Sequence, residues 1–353
     1  MIQKINSVIS NVEVGELQDS TLTSLLSKKY HQNKKIILLD KNTKEFCLPV
    51  LLQSIPELIN AHQIVIESGE VNKKIETCSK VWKQLIDLKI NRHDLIINLG
   101  GGVITDLGGF IATLYKRGMD FINIPTTLLG MVDASVGGKT GVNFGENKNQ
   151  IGVFSLPQLT VCDIRFLKTL PKNQLLSGKA EILKHGLIDD KDFFQYFKEN
   201  FNKGISKENL FKAIQIKTNI VDKDFKESGD RKKMNFGHTV GHAIEAYLMT
   251  QNNPVEHGVC IAWGMLVESY LSSLILGLSE QEFQEIELLV KEQYPRLELS
   301  SKDFDAIIRL MHNDKKNQSE KLNFTLLSSI GTSSVNYNLE DELVYKALSI
   351  FWD

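Results

Sequence analysis

Cysteine is scarce in this chain: Cys47, Cys78, Cys162 and Cys260 are scattered through 353 residues, and no two form a CxxC pair. Neither a disulfide framework nor a thiolate zinc site is suggested, so the cysteines are expected as packing residues. Any metal would be held by the eight histidines and by carboxylates. An excess of either charge is also missing, since 41 Lys and Arg stand against 43 Asp and Glu, giving a net charge of -2 and a pI near 6.5. Nucleic acid and anionic membrane surfaces are therefore not expected as partners, and any anion site must be local. Long apolar runs are lacking too. The most apolar stretch, residues 258–279, is interrupted by Glu268 and turns polar in its second half, which reads as a core helix. Residues 1–10 carry Lys4 and no apolar signal region, so a cytoplasmic protein is expected. With only 7 prolines and 42% hydrophobic residues, no long disorder is predicted, and the length suggests two domains.

What is present falls into two patterns. Up to residue 162, short apolar runs at 35–40, 62–67, 94–99, 120–124 and 159–162 alternate with helix-like stretches at 73–88 and 103–115. Strands separated by helices of this length imply βαβ units, so residues 1–162 are predicted to form an α/β domain with a mainly parallel, Rossmann-like sheet. From residue 163 to 353 long amphipathic stretches take over, at 174–187, 209–224, 235–249, 259–276 and 280–292, with one short β-prone run at 322–327. An all-helical C-terminal domain is predicted, with an active site in the cleft between the two.

Three motifs carry chemistry. The run from Asp94 to Val103 leads a strand into Gly100, Gly101 and Gly102 and then a helix, a geometry that lets backbone N–H groups approach a pyrophosphate. It lacks the GxGxxG spacing, and such a turn is often only a turn. Gly137-Gly138-Lys139-Thr140 resembles the end of a Walker A loop, but Asp133 stands where the first glycine belongs and Gly141 follows at once. A glycine loop presenting one lysine to an anion is the plainer reading, which argues against ATP or GTP hydrolysis. His238 and His242 stand four apart on one helical face, with His257 close behind, and could reach one metal. Spacing does not say which three ligands would bind. By themselves, Glu181 and Lys184 read as a solvated ion pair, and Arg117, Lys148, Lys217, Arg231 and Lys315 as surface charge.

Taken together these residues resemble the dehydroquinate synthase family, from about Asp40 to Lys316. The resemblance rests on the run Gly100 to Phe110, on Tyr115-Lys116-Arg117-Gly118, Pro125-Thr126-Thr127 and Val136 to Asn143, in unbroken order. Ser68-Gly69-Glu70 with Lys73, Lys148-Asn149, Phe166 with Thr169, Ala180-Glu181 with Lys184, Asn235 to His238, His242 to Glu245, His257-Gly258 and Asp314-Lys315-Lys316 extend it. Thr105, Ala134, His185, Gly145 and Asn147 depart from the family pattern without removing an implied ligand.

The resemblance implies a metal site of Glu181, His238 and His257, for zinc or cobalt, with His242 as a polar catalytic group beside the substrate. It implies NAD contacts from Asp40, Asn42, Gly69, Glu70, Lys73, Gly101, Gly102, Val103, Asp106, Thr126, Thr127, Asp133, Lys139, Lys148, Phe166 and Thr169. Lys139, Lys148 and Asn149 would also serve catalysis. Arg117, Lys184, Lys217, Arg231, Asn235 and Lys315 would bind a small sugar phosphate. The implied reaction closes 3-deoxy-D-arabino-heptulosonate 7-phosphate to 3-dehydroquinate and phosphate, with NAD unchanged overall, and a homodimer is the expected assembly. The rivals are another sugar-phosphate cyclase, a metal-dependent polyol dehydrogenase and a non-catalytic nucleotide-binding module; so many cations around one ligand favour the cyclase.

Overall fold

The computed structural model describes residues 1–145, 147–312 and 321–351. Contacts divide the chain into two compact units, Met1–Pro171 with Ile205–Phe225, and Lys172–Gly204 with Lys226–Asp353.

The first unit contains β1 (Gln3–Lys4), β2 (Val12–Val14), β3 (Lys35–Asp40), β4 (His62–Ile66), β5 (Leu95–Gly100), β6 (Asp120–Pro125), β7 (Lys139–Phe144), β8 (Asn147–Phe154) and β9 (Leu159–Cys162). Seven of these form one sheet in the order β1-β2-β9-β6-β5-β3-β4, parallel at every pairing except β1 with β2. Strand β5 is buried along its whole length, as a strand covered on both faces must be. Helices Ile75–Asp87 and Gly102–Leu114 cover the sheet with Val81, Leu85, Leu107 and Phe110, which share a core with Ile36, Ile64 and Ile96. The chain goes from β3 outward to β4 and then crosses back to β5 on the other side of β3. This reversal opens a crevice at the carboxyl ends of β3 and β5, where α/β sheets bind ligands.

All five strands expected from the apolar runs are present. The β7–β8 hairpin was not foreseen, because its Lys, Asn and Gly content has low strand propensity. Its two strands meet at Gly141 and Gly152, where a Cβ on Gly141 would lie 2.6 Å from the Ile151 carbonyl oxygen.

The sequence pattern draws one boundary at residue 162, whereas the compact units place residues 163–171 and helix Lys207–Lys223 with the sheet. The reason lies in its hydrogen bonds: Gln215 accepts from the Asn6 N–H, and the Asp222 carboxylate accepts from Ser7 and from the Val8 N–H.

Among its described residues the second unit is helical apart from one hairpin, β10 (Leu322–Ser329) with β11 (Thr332–Leu339), which grows from the β-prone run at 322–327. Helix His257–Ile275 is long and apolar enough by composition to cross a membrane, but residues 258–269 are buried without a break in the core. Two glycines bring its neighbours to backbone contact. A Cβ on Gly258 would lie 2.0 Å from the Ser177 carbonyl oxygen of helix Lys172–Asp189. On Gly264 it would lie 2.1 Å from the carbonyl oxygen of Gly237, the N-cap of helix His238–Thr250. Only glycine permits either approach.

Candidate active site

The three helices joined at these contacts carry Glu181, His238 and His257, so the close packing converts three distant sequence positions into one cluster. His238 and His257 are the first residues of their helices, and Glu181 lies one turn beyond Ser177. Glu181 Oε1 is 3.5 Å from His238 Nε2 and 3.7 Å from His257 Nε2, while Oε2 touches the Lys184 ammonium. The pair that reads as solvated in the sequence is in fact buried, at 0% and 1% exposure. Each ring is fixed through its other nitrogen. His238 Nδ1 faces the Phe236 carbonyl oxygen at 3.0 Å, and His257 Nδ1 faces Glu245 Oε2 at 3.1 Å. A carbonyl accepts and never donates, so Nδ1 of His238 carries the proton and Nε2 keeps its lone pair.

The electrostatics separate the two rings. Burial, reinforced by the Lys184 ammonium, drives His238 down to about 3, so the ring is neutral. Burial also opposes charge on His257, but Glu245 and Glu181 hold it up at about 10. Burial acts against the Glu181 carboxylate as well, yet the adjacent Lys184 ammonium keeps it well below the usual carboxylate range. Two ligand atoms on a tetrahedral zinc ion stand about 3.4 Å apart. The separations of 3.5 and 3.7 Å therefore fit a shared ion better than a direct hydrogen bond. One nitrogen from each of His238, His242 and His257 also lies within 4.8 Å of the others, so His242 borders the same space.

In the first unit, the expected nucleotide contacts gather at the carboxyl ends of the parallel strands. Asp40 ends β3, Gly101 and Gly102 follow β5, Thr126 and Thr127 follow β6, and Phe166 and Thr169 follow β9. Gly101 caps helix Gly102–Leu114, and a Cβ there would come 2.8 Å from Thr127 Cγ2, which keeps the turn open to a ligand's approach. Asp40 also accepts from the Thr43 N–H in a capping box that starts helix Lys41–Phe46, with Asn42 in its first turn. Gly69 adopts φ +103 before Glu70. Buried Lys73 donates to Asp106 Oδ2 and to Asn149 Oδ1, both at 2.6 Å. Lys217, another supposed surface charge, is 6% exposed and donates to Asp133 Oδ1 at 2.6 Å. Lys139 and Lys148 lie on the β7–β8 hairpin. Among the departures, buried Thr105 donates its hydroxyl to the Gly102 carbonyl at 3.2 Å, so the turn accommodates it.

The remaining expected residues divide. Arg231 is 3% exposed, and Asn235 donates to Glu227 at 2.8 Å, both in the second unit. Arg117 does not join the strand-end group. It precedes β6, whose six residues set it roughly 20 Å from the glycine turn, beyond the reach of its side chain. Its backbone has φ +65, between Lys116 at +48 and Gly118 at +110, which is strained for arginine. Lys315 lies outside the described residues.

Family models for the N-terminal and C-terminal parts of 3-dehydroquinate synthase match residues 63–177 and 178–317. The chain belongs to the 3-dehydroquinate synthase family. The 3-dehydroquinate synthase of Parabacteroides distasonis is 39% identical over 341 residues, covering 96% of this chain and 95% of that one. Among solved structures, a 2-epi-5-epi-valiolone synthase from Streptomyces hygroscopicus with NAD+ and Zn2+ bound is 26% identical with a TM-score of 0.85, covering 99% and 98% of the two chains. A 2-deoxy-scyllo-inosose synthase complexed with carbaglucose-6-phosphate, NAD+ and Co2+ shares the fold, with a TM-score of 0.85 at 22% identity and 99% coverage of both chains.

Within this 3-dehydroquinate synthase family member, sequence reasoning passed over two connecting residues. Asn143 donates to Glu70 at 2.8 Å and accepts from the Asn149 N–H at 2.9 Å, holding Asn149 at φ +51. Glu245 orients His257. Both lie inside quoted motifs, so the signal was present but their roles depend on geometry. His242→Ala should retain metal after dialysis and lose most of its rate; loss of metal would instead make His242 a ligand.

Proposed function

We propose that this chain converts 3-deoxy-D-arabino-heptulosonate 7-phosphate into 3-dehydroquinate and inorganic phosphate, as a carbon–oxygen lyase using NAD and one divalent metal ion, zinc or cobalt. The observation that carries the proposal is the Glu181, His238 and His257 cluster in a chain whose family membership spans nearly its whole length. In this reading Glu181 Oε1 and the two Nε2 atoms hold the ion, and the strand-end residues of the first unit hold NAD. Bound there, the ion would acidify a substrate hydroxyl, and NAD would take up and return one hydride.

The chain's own residues do the rest. His242 borders the ligand cluster and holds a proton of the substrate in place. Lys139, Lys148 and Asn149 bind the phosphate and stabilise its departing charge. Lys184, Lys217, Arg231 and Asn235 hold the remaining oxygens, and Lys315 completes the set; Arg117, set apart by the length of β6, is left out of it. Six or more cations assigned to one ligand, in a chain of net charge -2, suit a substrate with both a carboxylate and a phosphate. A cytoplasmic homodimer, acting on a small molecule without nucleic acid or membrane, belongs to the same reading.

The test is an incubation of protein, NAD, zinc and the heptulosonate. Phosphate should be released without accumulation of NADH. Net NADH formation would identify a dehydrogenase, and release from a different sugar phosphate alone would identify another cyclase.

A further inference from the structure

Glu268 interrupts the most apolar helix of the chain, and nothing in the proposed reaction uses it. It is 0% exposed, and its carboxylate reaches the start of the neighbouring helix His238–Thr250. Oε2 accepts from the Gly237 N–H at 2.7 Å and Oε1 from the Val240 N–H at 3.2 Å. These two amides flank His238. The carboxylate thus replaces the missing side-chain cap at Gly237, whose left-handed backbone, φ 77, turns the chain into the helix. The other helix returns the arrangement. Glu245, 6% exposed on His238–Thr250, accepts at His257 Nδ1, and His257 opens the helix that carries Glu268.

We propose that Glu245 and Glu268 are reciprocal positioning residues: each of the two histidine-bearing helices supplies a buried carboxylate that fixes the histidine end of the other. Glu245 sets the ring orientation of His257, and Glu268 sets the backbone turn from which His238 projects. The inference rests on the reading of His238 and His257 as metal ligands. Its physical basis is that a ligand's outer partners determine tautomer and direction, and their removal weakens a metal site about 10- to 100-fold. Helix capping alone would require only Glu268, and ring orientation alone only Glu245. The exchange of both across one helix pair couples the two ligands, so a shift in either helix is resisted from the other side.

The test uses the full chain with Co2+ as probe, measuring affinity by competition with a chelator, the visible spectrum of the bound ion, and kcat and KM. Glu245→Ala and Glu268→Gln should each weaken Co2+ by about 10- to 100-fold. Both should shift the visible band and lower kcat with little change in KM. Glu245→Gln, which keeps an acceptor oxygen, should recover part of the loss. Glu282→Gln, which alters a carboxylate paired with Lys191 in the same unit, should leave all of these readings unchanged. Co2+ affinity within twofold of the unaltered chain, with an unshifted spectrum in folded Glu245→Ala and Glu268→Gln, overturns the proposal. Where Glu268→Gln does not fold by circular dichroism, Glu245→Ala decides on the same criteria. Failure of the underlying metal reading looks different: the unaltered chain binds no Co2+, or His257→Ala binds it equally well, and the proposal is then overturned with it.

Discussion

Glu181→Ala and His257→Ala should each bind almost no divalent metal after dialysis and release no measurable phosphate from the heptulosonate substrate. The proposed site takes three protein ligand atoms, and neither pair left by these changes can hold a tetrahedral ion well. Loss of one ligand should weaken metal by more than roughly 100-fold, the upper end of what an outer partner contributes. The two variants should differ in stability. His257 is about a quarter exposed, so its removal opens space that water can enter, whereas Glu181 is fully buried against the Lys184 ammonium. Glu181→Ala should therefore lower the melting temperature more. Metal analysis beside the phosphate assay reads both quantities, and full occupancy with normal activity in either variant would remove that residue from the site.

Lys73→Met should be the most destabilising change in the first unit. The Lys73 side chain is 5% exposed and its ammonium lies 2.6 Å from Asp106 Oδ2, whose own side chain is 17% exposed. Removing one member of a buried ion pair costs about 3 kcal/mol or more, because the other charge is left without compensation. Even beside Lys73, burial pushes the Asp106 carboxyl above its usual range. Without the ammonium it rises further. A carboxyl raised in the folded state binds its proton more tightly there, so the cost is present at neutral pH and disappears as pH falls below about 4, the unfolded value. Urea unfolding should show the variant closest to the unaltered chain in acid. An equal deficit at pH 7 and near pH 4 would show that packing, and not charge, sets the effect. Asn149 also loses its tether to Lys73, so binding of an anionic ligand should weaken in parallel.

How far the sequence reveals this site depends on the kind of signal each part leaves. Strands β3 and β9 were legible to the residue because their apolar runs end in polar residues. The hairpin carrying Lys139 and Lys148 was not, because glycine pairing across two strands leaves no hydrophobic period. Read by themselves, Lys184 looked like half of a solvated ion pair and Lys217 and Arg231 like surface charge, although all three are at most 6% exposed. A charged residue on a nominally polar helical face carries no mark of the neighbour that buries it. Resemblance to a family supplied those residues, and also separated Glu181 from an ordinary i, i+3 ion pair. It could not supply Glu245 or Asn143 as connectors, since a hydrogen bond between positions 245 and 257 is a property of two helices at a fixed distance. Arg117 shows the converse: the motif is intact, but the strand that follows it carries the side chain away from the glycine turn.

Helix Lys207–Lys223, which returns to the sheet from beyond the start of the helical unit, has a consequence for the order in which the protein can be made. Domains usually fold as they leave the ribosome, amino end first. Here the α/β unit is incomplete when Pro171 emerges, because its last helix, with Lys217 for Asp133 and Asp222 for the Ser7 turn, arrives only with residue 225. By then residues 172–204, including Glu181, are already outside, while both histidines have yet to emerge. The nascent chain must therefore keep a carboxylate destined for burial and a bare sheet flank waiting for segments still inside the tunnel, and the helical unit begins to emerge before the α/β unit is complete.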